Sequence, residues 1–353
     1  LKILHLASGN RWTGAAAPAF AEVEALRMAG MDAHYAYVGG YKLEQKIGHH
    51  DFAHAVIEKA QNPLALRRTA AHVERLVQQH GFDVIHAHLT YDHWLARLVA
   101  RNHDVRVART IHARRVLRGD PFTRFLFRKT DLLCAVNESF GGHPALRERA
   151  VLFTPPPVDH RQFVHSGPDA RPLYRIPADA TVVTVIGKLS PGRGFEDALR
   201  TFAVLRRTTA ATMMIIGHGE HRPALEALAR ELGIAEHVIW AGYHEDDLAE
   251  HYRASNLLLF TAAGSDEGHR AVLEAMACGV IPATFPIDGV VALTGPEHIA
   301  AASTPEALAA LAAALLGRDA AALCERVVQR SYDFGYARAA RRLIDGYGAL
   351  RPR

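Results

Sequence analysis

Leu257-Leu258-Leu259-Phe260-Thr261-Ala262-Ala263-Gly264-Ser265-Asp266-Glu267-Gly268-His269-Arg270-Ala271-Val272-Leu273-Glu274-Ala275-Met276-Ala277-Cys278-Gly279 reads as one βα unit. Four apolar residues form a buried strand, a polar loop leaves its carboxyl end, and Ala271–Ala277 follow with helical character. The same succession recurs on both sides. Thr181–Ile186, Met213–Ile216, Val238–Ala241 and Val280–Ala283 are strand candidates, and Glu196–Arg207, Arg222–Leu232 and Asp246–Ala254 are helical ones. A separate series precedes them. Its strands are Ile3–Leu6, His34–Val38, Asp83–His88, Val105–Thr110 and Leu132–Val136, and its helices are Phe20–Ala29, Pro63–His80 and Trp94–Arg101. Alternating β and α elements imply parallel sheets covered by helices. Pro155-Pro156-Pro157 interrupts the chain, and the Pro-, Gly- and Asp-rich stretch Ser166 to Asp179 is the expected linker. The expected fold class is therefore α/β, with two doubly wound Rossmann-like domains facing a cleft. The expected boundaries are 1–165, a linker at 166–179, 180–330, and a final helical segment within 331–353.

Length and composition agree with this. At roughly 150 residues per domain, 353 residues suggest two domains. A hydrophobic content of 49% with 22% charged residues excludes disordered, collagenous and coiled-coil chains. Cys134, Cys278 and Cys324 are too few and too scattered for a disulfide framework or a cysteine zinc site, so a reducing, cytoplasmic setting is expected. A formal charge of +4 is too mild to argue for nucleic acid as a partner. Leu1 to Leu6 is too short and polar for a signal peptide, and with no starting Met the expectation is a processed or trimmed start. Ile299 to Leu316 reads as an alanine-rich helix, not a membrane span.

Several stretches can carry chemistry. In the opening stretch, Asp266 sits in the loop and Glu274 two turns into the helix, on nearly the same side. Helix-start N–H groups suit phosphate, whereas acids repel it, so the natural work of these acids is to bind sugar hydroxyls. The plainer alternative is a capping acid and a solvated Glu. Ile186-Gly187-Lys188-Leu189-Ser190-Pro191-Gly192-Arg193-Gly194 ends a strand with two cations among glycines. Lys188 and Arg193 can clamp a diphosphate, and the alternative is a glycine turn with two solvent-facing cations. Gly217-His218-Gly219-Glu220 permits a tight turn near a ligand, or is simply a βα turn. Gly9 to Gly14 follows the first strand. His86 and His88 project to one side of a strand, but no clear third ligand accompanies them, so buried, hydrogen-bonded histidines are expected and no metal site is assigned. His112 ends a strand and should face the cleft. Arg114, Arg115, Arg118, Arg124, Arg128 and Lys129 interleave with Phe122, Phe125 and Phe127, which suits an anionic acceptor or acidic lipid, or else an ordinary helix with a wet basic face.

The order of these elements, from Asp83–His88 through Thr110-Ile111-His112, Ala135–Ser139, Pro155–Asp159, Gly187–Gly194 and Gly217–Glu220 to Asp266–Gly279, resembles the family 4 retaining glycosyltransferases of the GT-B fold. The likeness covers nearly the whole chain and is most specific around Glu274. It implies that Lys188 and Arg193 hold a donor diphosphate with Gly187 and Gly217 nearby. Glu274 would bind the donor ribose, and Asp266 the transferred sugar. Backbone around Gly268, His269, Arg270 and Ala271 would touch phosphates or hydroxyls, His112 would lie near the reacting sugar, and Gly14 would let the first loop approach the donor. The final segment, after Tyr332-Asp333-Phe334, looks like the helix that crosses back to an N-terminal, acceptor-binding domain. The chain departs from the family where Asp266 replaces the usual Glu and where Lys188 then Arg193 replaces Arg then Lys. Charge is kept, while reach and bidentate geometry change.

The expected activity is transfer of a hexosyl unit from a UDP-sugar or GDP-sugar to a hydroxyl acceptor (a glycan, a lipid-linked glycan or a small molecule) with retention and without a bound metal or cofactor. Glycan or polysaccharide synthesis is the expected setting, with peripheral contact at the inner membrane face through 114–129. A sugar-nucleotide epimerase of the same architecture and a non-catalytic nucleotide-sugar-binding protein are the alternatives. A nicotinamide dehydrogenase is disfavoured by the missing G-x-G-x-x-G fingerprint.

Overall fold

The computed structural model describes residues 1–10, 12, 14–60, 62–146, 149–262, 267–317 and 319–350. Asp266, expected to contact the transferred sugar, lies outside the described residues. The chain divides into two compact units. The first holds Leu1–Pro157, Glu267 and Gly268, and the C-terminal segment from Gly335 on. The second holds the chain from Val158 to Ala262 and His269–Phe334.

The first unit is built on strands β1 (Lys2–Ala7), β2 (Asp32–Val38), β3 (Ala53–Ile57), β4 (Val84–Ala87), β5 (Arg106–Ile111), β6 (Leu132–Ala135) and β7 (Val151–Phe153). They lie in the order β3-β2-β1-β4-β5-β6-β7, and every neighbouring pair is parallel. Strand side chains alternate between faces, and the sheet uses both. Leu4 and Leu6 of β1 join Ile85 and Ala87 of β4 in a core beneath helices Pro63–His80 and Thr90–Val99. Ile3 and Ala7 join Val84 on the opposite face, beneath helices Ala16–Met28 and Tyr336–Gly348. The Pro63–His80 helix shows why the sequence breaks where it does. Asn62 Oδ1 accepts from the Ala65 N–H at 2.9 Å, Pro63 fills the first helical position, and Gly81 ends the helix at φ 67°.

The second unit contains β8 (Thr181–Ile186), β9 (Ala211–Ile216), β10 (Val238–Gly242), β11 (Leu257–Phe260) and β12 (Ile281–Thr284), ordered β10-β9-β8-β11-β12 and again parallel throughout. Helices Phe195–Leu205 and Pro305–Leu316 cover one face. Phe195, Phe202, Leu308 and Leu315 are buried there against Val183, Ile215 and Leu259, each large side chain worth about 1.5–3 kcal/mol of burial. The alanine-rich helix is thus a core element, and among the described residues no single helix is long and apolar enough to cross a membrane.

Ser166 to Asp179, expected as a linker, is folded onto the second unit's other face. Ala170 and Ile176 are buried against Val182, Met214 and Ile216. Arg171 donates to the carbonyls of Pro177, Ala178 and Ala180 and to Asn256 Oδ1, so it satisfies a stretch that has no ladder of its own.

Candidate functional site

In a doubly wound sheet, ligands bind beyond the carboxyl ends of the strands, where the strand order reverses. In the second unit that reversal lies between β8 and β11. The loops leaving those strands carry Gly187–Gly194 and the approach to Glu274, the segments singled out from sequence.

Backbone contacts hold the first loop in place. The Gly187 N–H donates to the Ile216 carbonyl at 3.0 Å, and the Leu189 N–H to the His218 carbonyl at 3.0 Å. A Cβ at Gly217, whose φ is 144°, would stand 1.9 Å from the Gly187 oxygen, so only glycine lets these two turns meet. Gly194 has φ 76°, and a Cβ there would lie 2.5 Å from Thr261 Oγ1. The Thr261 hydroxyl donates to the Gly194 carbonyl at 2.7 Å, which joins the loop after β8 to the loop after β11. Lys188 is exposed on this loop, and its Nζ lies 3.6 Å from Glu220 Oε2. Arg193 is partly buried on the same loop.

Helix Arg270–Ala277 starts from His269, held at φ 53° in the left-handed region. Among the described residues, Arg175 is the other non-glycine residue at positive φ. Strain of this kind costs about 1–3 kcal/mol and gathers at functional positions. His269 is buried, and its Nε2 donates to the Asp288 carbonyl at 2.9 Å. Arg270 and Ala271 stand in the helix's first turn, the end that favours anions, while the Val272 N–H already donates to the His269 carbonyl at 2.9 Å. Glu274 is 7% exposed. Burial is the largest influence on its carboxyl and pushes the pKa up, while Arg270 and the Tyr252 hydroxyl pull it down. Arg270 Nε is 3.2 Å from Glu274 Oε1, and the Tyr252 hydroxyl donates to Glu274 Oε2 at 3.5 Å.

In the first unit the order reverses between β1 and β4. Gly14, at φ 61°, ends the loop after β1. His112 follows β5 and is buried. Its carbonyl accepts from the Glu267 N–H at 3.1 Å, Glu267 Oε1 accepts from the Arg114 N–H at 2.9 Å, and Asn137 Nδ2 donates to the Glu267 carbonyl at 3.0 Å. Gly268 fits because a Cβ there would meet Pro156 Cγ at 2.5 Å. His112 Nε2 also shares a hydrogen bond of 3.0 Å with His88 Nδ1.

Residues 168–334 match the family described as "Glycosyl transferases group 1", and residues 12–142 match "Glycosyltransferase Family 4". The chain carries a family 4 and a group 1 glycosyltransferase domain, which together span most of its length. It is 29% identical over 255 residues to a GDP-mannose-dependent alpha-(1-6)-phosphatidylinositol monomannoside mannosyltransferase of Mycolicibacterium smegmatis, an alignment that covers 68% of this chain and 60% of the relative. An N-acetyl-alpha-D-glucosaminyl L-malate synthase of Bacillus anthracis is 24% identical over 60% of this chain and 58% of its own length. The chain therefore spans less than two thirds of these two relatives. Among solved structures, a glycosyltransferase from Rickettsia africae superposes with a TM-score of 0.82 at 14% identity, covering 99% of this chain and 98% of that one. Anabaena HepE, crystallised with UDP, superposes at 0.79 and 17% identity, covering 99% and 100%. Both show the GT-B fold of two doubly wound α/β domains.

In this chain, Gly187, Lys188, Arg193, Gly217, His269, Arg270, Ala271 and Glu274 all belong to the second unit, on loops and a helix that follow β8, β9 and β11. Gly14, His112 and Gly268 belong to the first. Sequence reading missed Tyr252 and Glu267. Tyr252 sits on the separate helix Leu248–Arg253, and no spacing rule links it to Glu274. Glu267 was visible in the loop, but its tie to His112 spans a large sequence separation.

Proposed function

We propose that this glycosyltransferase moves a hexosyl unit from a UDP- or GDP-sugar to a hydroxyl acceptor, with the anomeric configuration retained and no metal at the leaving group. The observation that carries the reading is the Gly217–Gly187 and Thr261–Gly194 joinery, which fixes the Lys188–Arg193 loop beside the loop leading to Glu274. Breaking the anomeric bond leaves negative charge on a diphosphate, and fixed cations and helix-start amides lower that cost. Lys188 and Arg193 supply the charge. The Lys188–Glu220 pair is exposed to solvent, which weakens it, so a diphosphate competes with it readily. Glu274 accepts from the donor ribose hydroxyls. Arg270 and Ala271 contribute backbone at the helix start, and Asp266 and His112 serve the transferred sugar.

Relatives support this range of donors and acceptors. The mycobacterial enzyme is named for GDP-mannose and a phosphatidylinositol glycolipid, and HepE has been crystallised with UDP-glucose. A lipid-linked acceptor fits the 114–129 segment. Phe122 and Phe125 are 72% and 46% exposed there, beside exposed Arg118, Arg124 and Lys129, a mixture suited to an anionic membrane surface. On this reading the enzyme works in the cytoplasm, at the inner membrane face.

A thermal-shift panel of nucleotide sugars tests the donor, since a ligand that binds only the folded state raises its stability. Stabilisation by a UDP- or GDP-hexose, followed by an acceptor product whose anomeric carbon keeps the donor's configuration by NMR, is expected. Donor consumption without acceptor would favour the epimerase instead, and binding without turnover a non-catalytic role.

A further inference from the structure

We propose that His5, Glu22 and His88 of the first unit form a buried divalent-metal site with the chemistry of zinc(II). Sequence showed His86 and His88 but no third ligand. Sheet register supplies it. β1 pairs with β4 so that His5 stands opposite His86, and all three histidines rise on the face that carries Ile3, Ala7 and Val84. Glu22 comes down onto that face from helix Ala16–Met28 and is 1% exposed, while His5 and His88 are 0% exposed.

The distances fit an ion. His5 Nδ1 and His88 Nε2 are 2.9 Å apart, and Glu22 Oε2 is 3.7 Å from each. A triangle with sides 2.9, 3.7 and 3.7 Å has its centre about 2.0 Å from every corner, which is the Zn–N and Zn–O bond length. Two imidazoles and one carboxylate are also a set that zinc accepts.

The outer nitrogens of the two rings are occupied as ligating histidines require. His88 Nδ1 shares its 3.0 Å bond with His112 Nε2, and His5 Nε2 lies 3.4 Å from the Tyr347 hydroxyl. His86 is bonded at both nitrogens, to Tyr347 and Thr110. With a ligand atom within 4.8 Å of the other three, it is the fourth donor within reach if it gives up one of those bonds. A metal on His88 Nε2 puts that ring's proton on Nδ1, where it donates to His112 Nε2.

The test is metal content, independent of transferase activity. The full chain, expressed in zinc-supplemented medium and purified without chelator, should hold about one zinc per molecule by inductively coupled plasma mass spectrometry. X-ray absorption should show a nitrogen and oxygen shell near 2.0 Å. Glu22→Gln and His5→Gln should each lower the bound zinc at least tenfold. His54→Gln, which breaks a separate group of His34, His54 and His80 in the same unit, should keep it. The wild-type measurements stand even if a variant fails to fold. Absence of zinc, together with equal unfolding midpoints after refolding with zinc and with chelator, would overturn the site. So would zinc lost from His54→Gln but kept in Glu22→Gln.

Discussion

Arg270 Nε lies 3.2 Å from Glu274 Oε1, one helical turn along, and this pairing opposes the upward pull that burial exerts on the carboxyl's pKa. If Glu274 holds the donor ribose, it does so best as an anion, which accepts hydrogen bonds more strongly than a carboxylic acid. Glu274→Ala should abolish measurable nucleotide binding by calorimetry, and unchanged affinity would remove the assignment. Arg270→Ala should act through the same carboxyl. Without the guanidinium, the Glu274 pKa rises further, so affinity should fall at a higher pH on acidification than it does in the wild type. Titrations between pH 5 and 8 that superimpose after scaling would contradict this.

Lys188 and Arg193 carry the leaving-group argument. Losing one charge-stabilising donor typically costs about 10²–10³-fold in turnover. Lys188→Ala and Arg193→Ala should each slow the reaction by about 10²-fold or more, with the loss in kcat and not only in KM. Glu220→Gln removes the anion that pairs with Lys188 and should leave turnover within a few-fold of wild type. Near-normal rates in both cation variants would defeat the proposed clamp.

Gly217→Ala tests the joinery. The new methyl would meet the Gly187 oxygen at 1.9 Å, a backbone atom that cannot swing aside, at a φ of 144° that suits only glycine. Overpacking and backbone strain each cost about 1–3 kcal/mol. The variant should unfold at clearly lower denaturant, and it should lose donor affinity because the Lys188 loop shifts. A midpoint within error of wild type would show that the two turns are not held as described.

How much of this was legible in sequence depends on how far apart the cooperating residues lie. Thr181–Ile186 and Leu257–Phe260 were read with their observed bounds, because central parallel strands are continuous apolar runs flanked by glycine or polar loops. The edge strands β3 and β7 were missed. In β3, Ala53-His54-Ala55-Val56-Ile57 is mostly half-buried and carries a histidine, so no apolar run marks it. Ala320–Ser331 was missed because its apolar positions are diluted by arginines and glutamate. The glycine turns of the second unit could be found because each is short and local. The His5, Glu22 and His88 group could not, since only the pairing of β1 with β4 brings them together.

Acid sensitivity supplies a test of the first unit that is independent of ligands. His93, on helix Thr90–Val99, is buried beside the Phe127 ring, and its Nε2 lies 2.7 Å from Thr130 Oγ1. The Thr130 hydroxyl gives its own proton to the Leu126 carbonyl at 2.7 Å, so it accepts from His93, and the imidazole is the neutral Nε2–H form. Burial holds its pKa well below the usual 6.5. The unfolded chain therefore takes up a proton below pH 6.5 that the folded chain refuses, and stability is lost as pH falls. At pH 5.5 the cost is about 1.4 kcal/mol for this one ring. His93→Gln keeps an N–H donor for Thr130 and cannot titrate. Its stability should fall less than that of wild type between pH 7.5 and 5.5, by about that amount, in matched urea melts. Equal losses in the two proteins would mean that His93 is not held neutral in the folded state.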